Sequence, residues 1–327
     1  MKLRFFLFSL VFFIANVSFC AITTKKNIIL DFGGVLFFTD KKASFKNLGA
    51  FTLARYVIRE RVNPLHVDFY VRKKLFFILN QIGMLHPLTK ENPYQPVYDE
   101  HGIELPLIMN AWLSGNITCS YVRLLVNKEI DQHPEWFSST AEKKIIQNTI
   151  NMIFTPSLFA GSRSLSPYGI AFIKRCKKEG HKVYALSNWD SESFIVLQQM
   201  YPDFFSLFDG IIISGRIHSN KPDHAIYHAL MQQYNLIADT CWLIDDQKEN
   251  IAAAQQLGMH GILYQHSFAH VIKNIKLMYA QSREREKNLI PTGMSKTTTK
   301  SSTTIIMEGE NIPRIDPRDA NPLPAQV

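Results

Sequence analysis

The stretch Ile28-Ile29-Leu30-Asp31-Phe32-Gly33-Gly34-Val35-Leu36 sets a carboxylate at the end of an apolar run and follows it with two glycines. Apolar residues without polar alternation fit a strand covered on both faces, as in a parallel sheet. Glycines directly after such a strand let the backbone turn tightly over whatever Asp31 holds. Asn27 to Asp31 therefore reads as the first strand, with a charged group delivered to its C-terminal end.

From 41 to 163 the pattern is helical. Leu48 to Arg61, Val67 to Ile82, Leu105 to Ser114, Cys119 to Ile130 and Ala141 to Phe154 carry apolar residues at helical spacing, separated by joints rich in Pro, Gly and Asn. No strand pattern lies among them, which predicts a helical insert. From 165 onward helices and strands alternate. Helix Pro167 to Glu179 closes at Gly180 before strand Lys182 to Leu186, and a helix at about 191–201 precedes strand Gly210 to Ser214. Helix Asp223 to Tyr234 leads to strand Cys241 to Ile244, and helix Glu249 to Leu257 ends at Gly258 before a short strand, Gly261 to Tyr264. Repeated units of this kind predict an α/β fold, a Rossmann-like parallel sheet wound on both sides that the first strand joins across the insert.

Ligands of such sheets sit at the C-terminal strand ends near the switch point. Four ends here carry polar groups: Asp31; Ser187 and Asn188; Ser214, with Lys221 further on; and Asp245 with Asp246. Acidic residues from two separate strands suit a hard cation held by oxygens, magnesium before others. A lysine and a hydroxyl beside that cation suit an anion with several oxygens, such as phosphate.

In these residues the chain resembles the haloacid dehalogenase superfamily of hydrolases. The resemblance rests on Ile29-Leu30-Asp31-Phe32-Gly33-Gly34-Val35-Leu36, Ala185-Leu186-Ser187-Asn188, Lys221-Pro222-Asp223 with Ile226-Tyr227, and Leu243-Ile244-Asp245-Asp246 with Asn250-Ile251, in that order. It implies that the insert is a cap domain, so that the core comprises 26–40 and 164–285 and the cap 41–163. It further implies that Asp31 is the nucleophile and forms an aspartyl intermediate. Ser187, the Asn188 backbone, Lys221 and Gly34 would bind the phosphoryl group, and Asp31, the Gly33 carbonyl, Asp245 and Asp246 would hold magnesium. The expected substrate is a small phosphate monoester.

The chain departs from the superfamily pattern at Gly33. Phosphatases of the superfamily usually carry there a second aspartate, which protonates the leaving group and later activates water. Some members with phosphatase activity also have glycine. Asp40, His86 and Tyr98 are candidate replacements. Two other readings remain beside phosphatase: a catalytically degenerate binding or effector protein on the same fold, and dehalogenase or phosphonatase-like hydrolysis.

The 327 residues, 46% hydrophobic and 20% charged, are ordinary for a globular protein. The net charge of +8 comes without the basic and aromatic interleaving of a nucleic-acid groove, so it reads as a solvated basic face. Lys2 and Arg4 precede a mostly apolar run, Phe5 to Phe19, with small residues at Ser18, Cys20 and Ala21. This is the pattern of a secretory signal peptide over 1–20, and the run is shorter than the roughly 20 residues of a membrane-spanning helix. Export to the periplasm or medium follows, without stable membrane insertion after cleavage. Cys119, Cys176 and Cys241 are too far apart for a disulfide framework or a zinc site. His266 and His270 read as ordinary helix histidines. The Ser, Thr and Lys-rich segment from 286 to 327 predicts a disordered tail.

Overall fold

Five strands lie parallel in the order β5-β4-β1-β6-β7. They are β1 Asn27–Leu30, β4 Lys182–Ser187, β5 Gly210–Ile213, β6 Cys241–Asp245 and β7 His260–Leu263. This is a computed structural model, and it describes residues 25–88, 95–99 and 102–289. The expected signal peptide and the tail beyond Leu289 lie outside the described residues.

Strand side chains alternate between two apolar layers. Ile28, Leu30, Val183, Ala185, Trp242 and Ile244 point to one face, where they meet Phe172, Ile173 and Cys176 of α8 (Pro167–Lys178). Ile29, Tyr184, Leu186 and Leu243 point to the other. There they pack on Ile226, Tyr227 and Leu230 of α12 (His224–Tyr234) and Ile251 and Ala254 of α13 (Lys248–Gln256). The unbroken apolar composition of each strand follows from this double coverage.

The insert comprises α1 Lys41–Leu48, α2 Ala50–Glu60, α3 Val67–Leu85, α4 Leu107–Leu113, α5 Cys119–Gln132, α6 Thr140–Ile153 and α7 Pro156–Gly161. It fills an apolar core of its own, with Tyr56, Leu75, Ile78, Trp112, Val126 and Ile146 among its members. Sheet and insert belong to one compact unit that ends at Tyr279, and a second begins at Ala280.

Three expectations change. The helix expected from Leu48 to Arg61 is α2, and a separate helix, α1, precedes it, because Gly49, at φ +82°, closes α1, its N–H donating to Phe45 and Lys46. Two short strands, β2 Phe37–Thr39 and β3 Arg163–Leu165, pair antiparallel where the insert leaves and rejoins the sheet. At three residues each they are too short to show a period. His266 lies outside the helix expected to carry it, in a left-handed conformation before α14 (Phe268–Leu289). Cys119, Cys176 and Cys241 are free and buried.

Candidate active site

The strand order reverses direction at β1, with β4 on one side and β6 on the other, so the switch-point crevice opens where these three strands end. Asp31 follows β1 directly, its N–H donating to Ile244 O of β6 at 3.1 Å. Ser187 closes β4 and Asp245 closes β6. Lys221 arrives on the loop between α11 (Ser214–Ile217) and α12, a loop that Asp223 ends by capping α12 at the Ala225 N–H.

Lys221 is 1% exposed and sits among carboxylates. Its Nζ donates to Asp245 Oδ2 at 2.6 Å and to Leu186 O at 2.8 Å, and it lies 3.0 Å from Asp31 Oδ1 as an ion pair. Burial alone would lower its pKa, but Asp245 and Asp31 outweigh burial and raise it, so the ammonium form is secured. Asn188 holds the lysine from the neighbouring loop through its side chain.

The carboxylates crowd one another. One oxygen each from Asp31, Asp245 and Asp246 lies within 4.8 Å of the others. Burial pushes Asp31 up to about 6; Lys221 opposes the rise and Asp245 adds to it. Asp246 is pushed up to about 8 by burial and then by Asp31 and Asp245. Asp245 is already committed. Besides Lys221, it accepts from Gln247 N and Asn250 Nδ2 at 2.9 Å each through Oδ1. Oδ1 of Asp246 is buried with no hydrogen-bond partner, whereas Oδ1 of Asp31, also buried, is paired with the Lys221 ammonium. A buried carboxylate oxygen without a partner beside two further carboxylates fits a hard, oxygen-preferring divalent cation, which would relieve the repulsion.

The remaining expected residues fall as follows. Ser187 Oγ is buried, near enough to Asp31 to lower its pKa, yet meets no partner in hydrogen-bond geometry. The Gly34 N–H donates to Phe37 O at 3.0 Å, so this amide closes the turn. Any side chain at Gly34, where φ is +69°, would run into the Asp246 carboxylate. Around Gly33, by contrast, an added Cβ would meet nothing within 4 Å. Ser214 serves the insert: its hydroxyl donates to Leu113 O at 2.6 Å and accepts from Trp189 N at 2.9 Å.

The candidate replacement acids are occupied elsewhere or reach the site differently. Asp40 caps α1 through the Ala43 N–H. His86 pairs with Glu129 at 3.0 Å. Tyr98 touches the site's border through its carbonyl, which accepts from Gln247 Nε2 at 2.9 Å.

Asn220 and Gln247 are the residues that sequence patterns did not single out. Asn220 Nδ2 donates to both Asn110 O and Asn110 Oδ1 of α4, at 2.8 and 2.7 Å, one residue before Lys221. Asn110 Nδ2 in turn donates to Gln95 O. The insert is thus tied to the strand ends on both sides of the crevice. Adjacency to Lys221 and to Asp246 was the only sequence signal for either residue.

The sequence pattern of the haloacid dehalogenase-like hydrolases matches residues 25–258, spanning β1, the insert and all the strand ends just described except that of β7. The chain belongs to this hydrolase family. Among curated relatives, the sesquiterpene phosphatase astK of Aspergillus oryzae is 33% identical over 92 residues, 28% of this chain and 46% of that protein. The drimenol cyclase drtB of Aspergillus calidoustus is 28% identical over 123 residues, 38% of this chain and 22% of that protein. The matches thus span less than half the length of these relatives. Among solved structures, the family enzyme bt-2542 of Bacteroides thetaiotaomicron covers 76% of this chain and 98% of its own, at 17% identity and a TM-score of 0.46. Another structure of that enzyme, at 16% identity over the same shares and a TM-score of 0.45, is a complex with magnesium and inorganic phosphate.

Proposed function

We propose that this family member is a magnesium-dependent phosphatase that hydrolyses small phosphate monoesters through an aspartyl-phosphate at Asp31. The observation that carries the reading is the buried Lys221 ammonium set between Asp31 and Asp245 at the switch point, with Asp246 alongside. The similarity of a 92-residue stretch to a sesquiterpene phosphatase supports the same chemistry.

Asp31, Asp246 and the Gly33 carbonyl would hold the cation, with Asp245 bound to Lys221 and orienting it. When bound, magnesium supplies positive charge to the phosphoryl oxygens and keeps the crowded carboxylates ionised. One Asp31 oxygen attacks phosphorus, and the phosphorus bond to the ester oxygen breaks as the new bond forms. Ser187 Oγ and the Asn188 backbone receive the phosphoryl oxygens, while Lys221 stabilises the charge developing on them. Water then attacks phosphorus, releasing phosphate and the Asp31 carboxylate. Since Gly33 offers no proton, the leaving oxygen takes its proton from solvent, which limits the reaction to slow turnover or good leaving groups.

Export is part of the proposal, supported by Lys2 and Arg4 before the apolar run Phe5 to Phe19. The helical insert is proposed to act as a cap that selects substrate, supported by its ties to the crevice border at Asn220 and Gln247.

Phosphate release from a broad panel of monoesters, with and without magnesium, tests this function. Magnesium-dependent release from at least one ester is expected. Silence across the panel favours a binding role on the same fold, a second reading to which the missing acid at Gly33 points. Halide release from a haloacid without magnesium would instead establish a dehalogenase.

A further inference from the structure

The helical insert concentrates the chain's positive charge. Between Lys41 and His86 nine basic residues stand against two acidic ones, Glu60 and Asp68, in a chain of net charge +8. Arg72 and Lys74 are paired with Asp99 and Glu142. Arg55, Arg59, Arg61 and Lys73 are exposed and form no ion pair among the described residues.

The same region exposes large apolar side chains. Phe51 is 80% exposed, Ile58 77% and Leu65 84%. Seven residues apart, Phe51 and Ile58 share one face of α2, with Arg55 between them and Arg59 at the edge, while Tyr56 points into the insert's core. Leu65 lies in the short Pro64–His66 turn that follows, and Phe69 and Tyr70 are exposed at the start of α3. Helices α1, α2 and α3 all pack on α6, so the inner side of this layer is already filled. The exposed apolar residues are therefore left over from folding, and neighbouring groups of them mark a docking surface.

The charge decides the occupant. A surface that interleaves unpaired arginines with large apolar groups is complementary to anionic headgroups over an acyl boundary, where both demands are met together. We infer that α2, the turn at 64–66 and the start of α3 form a peripheral docking surface for an anionic phospholipid bilayer. Phe51, Ile58 and Leu65 enter the headgroup boundary, and Arg55, Arg59 and Arg61 meet lipid phosphates. The contact is with the membrane surface, and no helix among the described residues is long and apolar enough to cross a membrane. The inference is independent of the chemistry proposed at Asp31.

Vesicle flotation of the full chain tests it, using phosphatidylcholine with about 30 mol% phosphatidylglycerol against phosphatidylcholine alone. Flotation with the anionic vesicles is expected, weakened at least about tenfold on phosphatidylcholine alone, in the triple variant Phe51→Ser/Ile58→Ser/Leu65→Ser and in Arg55→Glu/Arg59→Glu. All five positions are exposed, so circular dichroism and melting of the variants should match those of the unsubstituted chain. The inference is overturned by no flotation on anionic vesicles, by equal flotation on both vesicle types, or by variants that float as the unsubstituted chain does. It is also overturned if light scattering finds a dimer that the serine variant dissociates while no vesicle binding occurs, since a second copy then covers the face.

Discussion

Asn188 and Lys221 hold each other by two reciprocal hydrogen bonds, Asn188 Nδ2 donating to Lys221 O at 2.8 Å and Lys221 N donating to Asn188 Oδ1 at 2.7 Å. The amide side chain after β4 thus fixes the backbone that carries the ammonium to Asp31 and Asp245. Asn188→Ala leaves both backbone groups without that partner and should cost about 1–3 kcal/mol of stability, read from urea unfolding. In kinetics the variant should lose kcat more than it raises KM, because it disturbs the placement of Lys221 in the transition state more than contact with bound substrate.

Burial and mutual repulsion hold Asp31 and Asp246 above their ordinary value of 3.8. The folded protein then binds these protons more tightly than the unfolded chain does. Their contribution to stability is full below pH 3.8 and is lost as pH rises through about 6 and about 8. In a chelator, the melting temperature should therefore decline from this source over that window, and Asp246→Asn should flatten the upper part of the decline. Added magnesium should stabilise the protein increasingly as pH rises, since its ligands must be ionised. Calorimetry across pH, with chelator and with magnesium, measures both trends.

The two glycines after Asp31 separate into opposite predictions. Gly33 has open space around an added Cβ, whereas a Cβ at Gly34 runs into Asp246 at a left-handed φ of +69°. Gly33→Asp should be accepted by the fold and, by supplying the missing acid and base, raise kcat by about 10²-fold or more on esters with poor leaving groups. Gly34→Ala should displace Asp246 and reduce both magnesium affinity and turnover. Steady-state kinetics with a magnesium titration distinguishes the two.

The strand ends were legible because continuous apolar runs mark parallel strands and each run stops at a polar residue. Asp31, Ser187, Asp245 and Asp246 follow from that alone, and the Lys-Pro-Asp helix start adds Lys221. The particular hydrogen bonds among those residues were not legible. That Asp245 spends both oxygens on Lys221, Gln247 and Asn250 depends on side-chain geometry at the strand end, which apolar periodicity does not encode. The link from Asn220 to Asn110 joins positions 110 residues apart and depends on how the insert folds back over the sheet. The break at Gly49 was open to reading, since a glycine inside a helical pattern is a candidate C-terminal cap. The apolar and basic surface of α2 was hidden for another reason: Phe51 and Ile58 fit a buried face as well as an exposed one until the packing on α6 is known.

The central claim is that Asp31 is the nucleophile of a magnesium-dependent phosphatase. It is tested most directly by phosphate release from the best panel ester with saturating magnesium, comparing the unsubstituted chain with Asp31→Asn. The amide is nearly isosteric and keeps the strand end intact, so a folded variant with release reduced to the uncatalysed background is the predicted result. Release by a folded Asp31→Asn protein at a rate near that of the unsubstituted chain would contradict it.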